Sequence, residues 1–234
     1  MTSTLDLFGG DDPAQHGRVA LGAQSVVLRG FALPAVDALL AGVDDVIAQA
    51  PFRHMETPGG YTMSVALTNC GELGWTTDAR GYRYSRVDPV SGQRWPAMPQ
   101  AFRQLAEDAA REAGFADFAP DACLVNRSEP GARLSLHQDG NERDFGAPII
   151  SVSLGMPTMS LFRGDDRSDS AERMPRFHGD VVVWGGVDRL RFQSVMPLKE
   201  LPHPQLGSLR INFRIRKAGW VLSLIPKFPE FRSA

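Results

Sequence analysis

Hydrophobic positions fall into two regimes along the chain. Between Pro34 and Ala50, Val36, Leu39, Leu40, Val43, Val46 and Ile47 recur at helical spacing, which predicts one amphipathic helix with a proline near its first turn. A second helix is predicted from about Pro99 to Glu112, with Phe102, Leu105 and Ala109 inward and Gly114 as its stop. After Asp121 the pattern changes to short β-rich runs separated by Gly, Pro and Asp. These are 122–126, 133–136, 149–154, 158–162, 180–184, 192–196 and 208–216. Such runs after two helices predict a mainly β fold with flanking helices (α+β), a double-sheet jelly roll buttressed on one side.

Segment 52–96 stands apart. It holds all 3 tyrosines of the chain, Tyr61, Tyr82 and Tyr84, and two of its 4 tryptophans, Trp75 and Trp95. Arg53, Arg80, Arg83, Arg86 and Arg94 are interleaved with them. Aromatics among arginines suit base stacking and phosphate contact, although hairpins covering a core would read the same way. Bulk charge adds nothing, because 25 basic residues face 27 acidic ones. Nucleic-acid contact must therefore come from local patches. At 234 residues and 43% hydrophobic content, one domain can bury a full core. Cys70 and Cys123 make no disulfide framework. The N-terminus has no leader pattern and no apolar run reaches the roughly 18 residues of a membrane span. The expectation is a cytoplasmic, non-membrane monomer.

The candidate chemistry lies in Leu134-Ser-Leu-His-Gln-Asp139 and Arg210-Ile-Asn-Phe-Arg-Ile-Arg216. On a strand, residues two apart share a face. His137 and Asp139 thus present an imidazole and a carboxylate side by side, two thirds of a facial iron site. Arg210, Asn212, Arg214 and Arg216 share one face of a second strand while Ile211, Phe213 and Ile215 face the core. A charged row facing a barrel interior needs a counter-ion, and a dicarboxylate gripped by Arg210 would serve.

Longer motifs carry a resemblance over about residues 20–220. They include Thr57-Pro-Gly-Gly-Tyr-Thr-Met-Ser-Val-Ala, Gly74-Trp-Thr-Thr, Trp95-Pro-Ala-Met-Pro, Pro130-Gly-Ala-Arg-Leu-Ser-Leu-His-Gln-Asp, Ile150-Ser-Val-Ser-Leu-Gly and His178-Gly-Asp-Val-Val-Val-Trp-Gly-Gly. On these the chain is similar to the AlkB family of nucleic-acid dealkylases, bacterial type. The resemblance implies a double-stranded β-helix (jelly roll) with an N-terminal nucleotide-recognition lid. It divides the chain into an arm (1–20), a domain (21–220) with lid (52–96) and core (121–217), and a tail (221–234). It implies Fe(II), 2-oxoglutarate and O2, with His137 and Asp139 as metal ligands and catalytic centre. Arg210 would hold the far carboxylate of 2-oxoglutarate, with Asn126, Ser128, Asn212 and Arg216 as further contacts. The methylated base would stack between Trp75 and the iron-ligating His. Tyr82, Tyr84, Asn141 and Arg173 would line the substrate pocket or strand, with Thr57 and Met63 on the lid. The implied activity is oxidative demethylation of 1-methyladenine and 3-methylcytosine in single- or double-stranded DNA, extending to RNA, with release of formaldehyde, succinate and CO2.

Three positions depart from the family. Gln193 stands where the distal metal-ligating His belongs, and an amide oxygen is a weaker donor than imidazole. His178 and His203 are the other imidazoles that could substitute, although both match positions the family does not use for metal. Ser128 replaces a Tyr at the co-substrate, and Asn141 replaces an Asp at the cationic base while Glu142 remains adjacent. The alternative reading is therefore a catalytically weak binder of alkylated nucleic acid or of 2-oxoglutarate.

Overall fold

The computed structural model describes residues 17–219. The tail 221–234 lies outside them, as does the arm apart from Gly17–Ala20, which form β1 and pair with β2 (Ser25–Arg29). A short 3-10 turn containing Pro34 leads into α1 (Val36–Gln49). Then come β3 (Arg53–Glu56), β4 (Thr62–Gly71), β5 (Gly74–Asp78), β6 (Gly81–Ser85) and α2 (Gln100–Glu112). The remaining strands are β7 (Ala122–Ser128), β8 (Leu134–His137), β9 (Ile149–Gly155), β10 (Thr158–Phe162), β11 (Glu172–Arg176), β12 (Val181–Trp184), β13 (Gln193–Val195) and β14 (Arg210–Arg216). Both helices fall where the apolar spacing puts them, and Gly114 ends α2 at φ +91°, a conformation that favours glycine.

The strands form a major sheet of 8 in the order β1-β2-β12-β9-β14-β7-β4-β3 and a minor sheet of 4 in the order β11-β10-β13-β8. This is the expected jelly roll. The segment read as a lid contributes β3 and β4 to the major sheet, and β5–β6 stands as a separate hairpin. Strand β11 was not foreseen, because Glu-Arg-Met-Pro-Arg carries no strand signal.

Alternation on the central strands sorts the side chains. Ile150, Val152 and Leu154 of β9 and Ile211, Phe213 and Ile215 of β14 share a cluster with Val43 of α1 and Phe102 of α2. Val182 and Trp184 of β12 turn the other way, toward Phe162 and Met174 of the minor sheet. Gly42 lets α1 approach α2, since a Cβ there would lie 2.8 Å from Phe102 Cε1. The Phe102 and Phe213 rings meet edge to face at 4.7 Å, both fully buried. Each such burial contributes roughly 1.5–3 kcal/mol. Phe213→Ala also leaves a cavity and should cost about 3–5 kcal/mol, read as a lowered urea midpoint with unchanged m-value.

The turn into β12 is tied by His178, whose Nδ1 accepts the Gly155 N–H at 3.0 Å and whose ring stacks on His203 at 4.1 Å. Burial, then His203, pull the His178 pKa down to about 4 from 6.5. The unfolded chain therefore takes up the proton first as pH falls. Stability should hold above about pH 6.5 and decline from there toward about pH 4. His137 and His203 are shifted in the same direction. Urea titrations at stepped pH should thus show a shallower decline, not a flat profile, in His178→Asn.

Candidate functional site

Strands β8 and β13 pair with His137 opposite Gln193. Two residues beyond His137, the Asp139 carboxylate accepts hydrogen bonds on both oxygens. Gln193 Nε2 donates to its Oδ2 at 2.5 Å and Arg214 Nη1 to the same oxygen at 2.7 Å, while Arg216 Nη2 donates to Oδ1 at 2.5 Å. Burial alone would raise the Asp139 pKa, but Arg216 and Arg214 overcome it and hold the group ionised far below the usual carboxylate range. His137 Nδ1 bonds the Ser135 carbonyl at 2.8 Å, so that nitrogen carries the proton and Nε2 is left with its lone pair. Burial lowers its pKa more than Asp139 raises it, which favours neutral imidazole.

Behind this centre, buried Glu142 accepts from Tyr84 Oη at 2.6 Å and Arg189 Nη2 at 2.9 Å, with Arg216 Nε at 3.3 Å. Arg189 Nη1 also donates to the Asp139 carbonyl at 2.6 Å. Tyr84 is thus a support for Arg216, outside the lining of the main cleft. Glu142 is spent inward, so it does not replace the charge missing at Asn141.

A cleft of about 750 Å³ opens over His137 and Asp139. Thr57, Met63, Trp75, Tyr82 and Asn141 line it, as expected. Trp75 and Tyr82 stack with centroids 5.5 Å apart and planes at 19°, and Trp75 Nε1 donates to Asn141 Oδ1 at 3.2 Å. Arg173 is not brought there: it is exposed on β11, with Nη2 on Met196 Sδ at 3.6 Å. The arginines of 52–96 are partly consumed internally. Arg53 forks onto Asp88 and covers Trp95, and Arg80 and Arg83 both bind Asp78. Trp95 is buried as core, its Nε1 on the Ser85 carbonyl.

A small enclosed void adjoins the cleft, sharing Val65, Asn126 and Leu134 with it. Asn126, Ser128, Arg210 and Asn212 meet there as expected, and Arg176 joins them. Arg210 Nη2 donates to Ser153 Oγ at 2.9 Å and Arg176 Nη1 to Ser151 Oγ at 2.8 Å. Arg210 Nη1 and Arg176 Nε have no partner. Burial and Arg214 pull the Arg210 pKa down to about 10, and burial also lowers that of Arg176. Arg216, placed with this group by sequence, lies instead at Asp139. Arg176, Arg189, Ser151 and Ser153 were not foreseen, and Arg214 was placed on the right face without a role. The serines did leave a signal, being the polar alternates of the otherwise apolar β9.

Residues 24–216 match the family model of the 2OG-Fe(II) oxygenase superfamily, whose chemistry uses Fe(II), 2-oxoglutarate and O2. The chain is 53% identical over 215 residues to the alpha-ketoglutarate-dependent dioxygenase AlkB of Escherichia coli, covering 92% of this chain and 98% of that one. It is 41% identical over 186 residues to the AlkB homolog of Caulobacter vibrioides, covering 78% and 80%. The fold also matches the solved structure of OsALKBH1, with TM-score 0.75 and 24% identity over 86% of this chain and all (100%) of that chain. The chain belongs to the AlkB family of bacterial type within the 2OG-Fe(II) oxygenases.

Iron is the group this family implies, and the donors present fit it poorly, so that they would hold it only weakly. Among the described residues no group of three or more His, Cys, Asp and Glu could hold a metal. His137 Nε2 is available, but Asp139 Oδ2 is taken by Arg214 and Gln193 and Oδ1 accepts from Arg216, which leaves the carboxylate little acceptor capacity for a metal. The Gln193 amide presents its nitrogen to that oxygen, as beside any carboxylate it must. His178 and His203 stack on each other and neither lines the cleft. Gln193→His should therefore restore metal affinity only in part, whereas Gln193→His with Arg214→Ser should tighten Mn(II) binding at least tenfold further. Calorimetric titration of the two variants checks this order.

Proposed function

We propose that the protein receives N-alkylated bases of the 1-methyladenine and 3-methylcytosine type, carried in single- or double-stranded DNA and in RNA, and that its reaction is oxidative demethylation. It acts as a cytoplasmic monomer. The observation that carries this reading is the Trp75–Tyr82 stack on a cleft whose floor is His137 and Asp139. Methylation at these ring nitrogens leaves a cationic base, which the electron-rich indole of Trp75 attracts through its face. Such a base cannot pair, so extruding it costs less than extruding a normal one. The named AlkB relatives are alpha-ketoglutarate-dependent dioxygenases, and among more distant relatives are a tRNA demethylase of Schizosaccharomyces pombe and a nucleic acid dioxygenase of Homo sapiens. No helix among the described residues is long and apolar enough to cross a membrane.

The family reaction converts the N-methyl group, 2-oxoglutarate and O2 into formaldehyde, succinate and CO2. In this chain Trp75, Tyr82 and Asn141 would bind and orient the base, and Arg210 with Asn126 and Asn212 would seat the co-substrate. Arg173, exposed on β11 outside the cleft lining, would meet the flanking strand. One observation favours a second reading, a binder with little turnover: Asp139 already accepts from Arg214, Arg216 and Gln193.

The test uses a 1-methyladenine oligonucleotide with saturating Fe(II), 2-oxoglutarate and O2. Formaldehyde release, slow and incompletely coupled to succinate, is expected; tight binding without formaldehyde would transfer the case to the second reading. Trp75→Ala should weaken the methylated strand by roughly 1–3 kcal/mol at fixed salt. Equal loss for the unmethylated strand would make Trp75 merely structural.

A further inference from the structure

Between the two sheets lie five buried guanidiniums, those of Arg176, Arg189, Arg210, Arg214 and Arg216, and the buried carboxylates of Asp139 and Glu142 pair with only three of them, Arg189, Arg214 and Arg216. Asp180 attracts Arg176 and Arg210 only from a distance, because its oxygens are taken by Arg29 and by the N–H groups of Gly30 and Phe177. Neither Arg176 nor Arg210 makes a contact ion pair: each donates to one neutral serine and leaves a buried nitrogen unbonded. Buried guanidiniums in that state are costly, and an anion seated between them removes the cost. A divalent cation would add to it.

We propose that this protein binds its dicarboxylate through guanidiniums alone, with Arg176 and Arg210 clamping the far carboxylate and no metal required. The charge that a metal would bring to this cavity is carried instead by protein cations, Arg214 on Asp139 and Arg176 in the void. At about 20 Å³ the void takes one carboxylate oxygen, and the lining it shares with the cleft, Val65, Asn126 and Leu134, leaves the rest of a linear dicarboxylate on the cleft side. Two planar forks meeting one carboxylate supply more N–H donors than a single arginine can. Naming the ligand as 2-oxoglutarate rests on the family reading above; metal independence rests on the charges.

The test is calorimetric titration of full-length, EDTA-treated protein with 2-oxoglutarate, repeated with saturating Mn(II). Affinities agreeing within about twofold are expected, whereas binding lost in EDTA and recovered with Mn(II) would overturn the proposal. Arg176→Leu should weaken 2-oxoglutarate at least tenfold and raise the Tm of the ligand-free protein, because it removes an uncompensated buried charge. Arg176→Lys should fall between the two proteins in affinity. Unchanged affinity in a folded Arg176→Leu protein, or a lowered ligand-free Tm with affinity intact, removes Arg176 from the site. In the Gln193→His, Arg214→Ser protein, 2-oxoglutarate binding should become metal-dependent. Methylated oligonucleotide binding is measured on the same samples. If the oligonucleotide binds and no dicarboxylate does, this inference fails and the base-binding reading stands; if the dicarboxylate binds without metal and no oligonucleotide does, the reverse holds.

Discussion

Strand β14 works under a constraint that the rest of the molecule inherits. Its side chains alternate between two environments with nothing in common. Ile211, Phe213 and Ile215 enter the apolar layer beneath the helices, and Arg210, Asn212, Arg214 and Arg216 enter the space between the sheets. Because the period is two, a slip of one residue against β7 or β9 would drive four polar groups into the helix-facing core. The register is therefore enforced from both sides, by Phe213 against Phe102 and by ion pairs from Arg214 and Arg216 to Asp139. Asp139 in turn fixes where β8 ends and how Gln193 of β13 is turned. The minor sheet is thereby stitched to the major one by a polar link.

That link has a definite electrostatic character. Asp139 is a permanently ionised acceptor, and the groups on it are donors. The family's usual use of this spot is as a seat for a cation, and a cation is present, in the form of a guanidinium. The replacement of imidazole by Gln193 then makes local sense. An amide N–H beside an ionised carboxylate satisfies it, where a neutral imidazole lone pair would not. Gln193, Arg214 and Asp139 form one self-consistent group, and changing any one alone leaves a buried partner unsatisfied.

Much of this was legible in the chain. The two helices follow from apolar spacing with Gly114 as a stop, and β14 from strict alternation of arginine with Ile and Phe. The meeting of His137, Asp139 and Gln193 follows from the motif alignment, and so does the cluster of Asn126, Ser128, Arg210 and Asn212. What could not be read was who partners whom. Arg176 sits in a run with proline and charge that looks like loop, and only pairing of β11 with β10 turns it inward. Glu142 was read as a neighbour of the base because it follows Asn141, yet its carboxylate faces Arg189, remote in sequence. The arginines among the aromatics of 52–96 looked free for phosphate, and their acidic partners Asp78 and Asp88 carried no local sign of that use. Burial and pairing of charges are properties of the assembled sheets.

The β5–β6 hairpin presents Trp75 and Tyr82 while both of its arginines close on Asp78. On the proposed function, its contact with a nucleic acid would be one of ring faces more than of opposite charges. Each phosphate neutralised by a protein cation releases counter-ions and steepens the dependence of binding on salt by about 0.9 in logarithmic slope on duplex DNA. A hairpin whose cations are internally discharged adds little to that slope. The grip on a base proposed for it would therefore persist at ionic strengths that strip away proteins relying on the phosphate backbone.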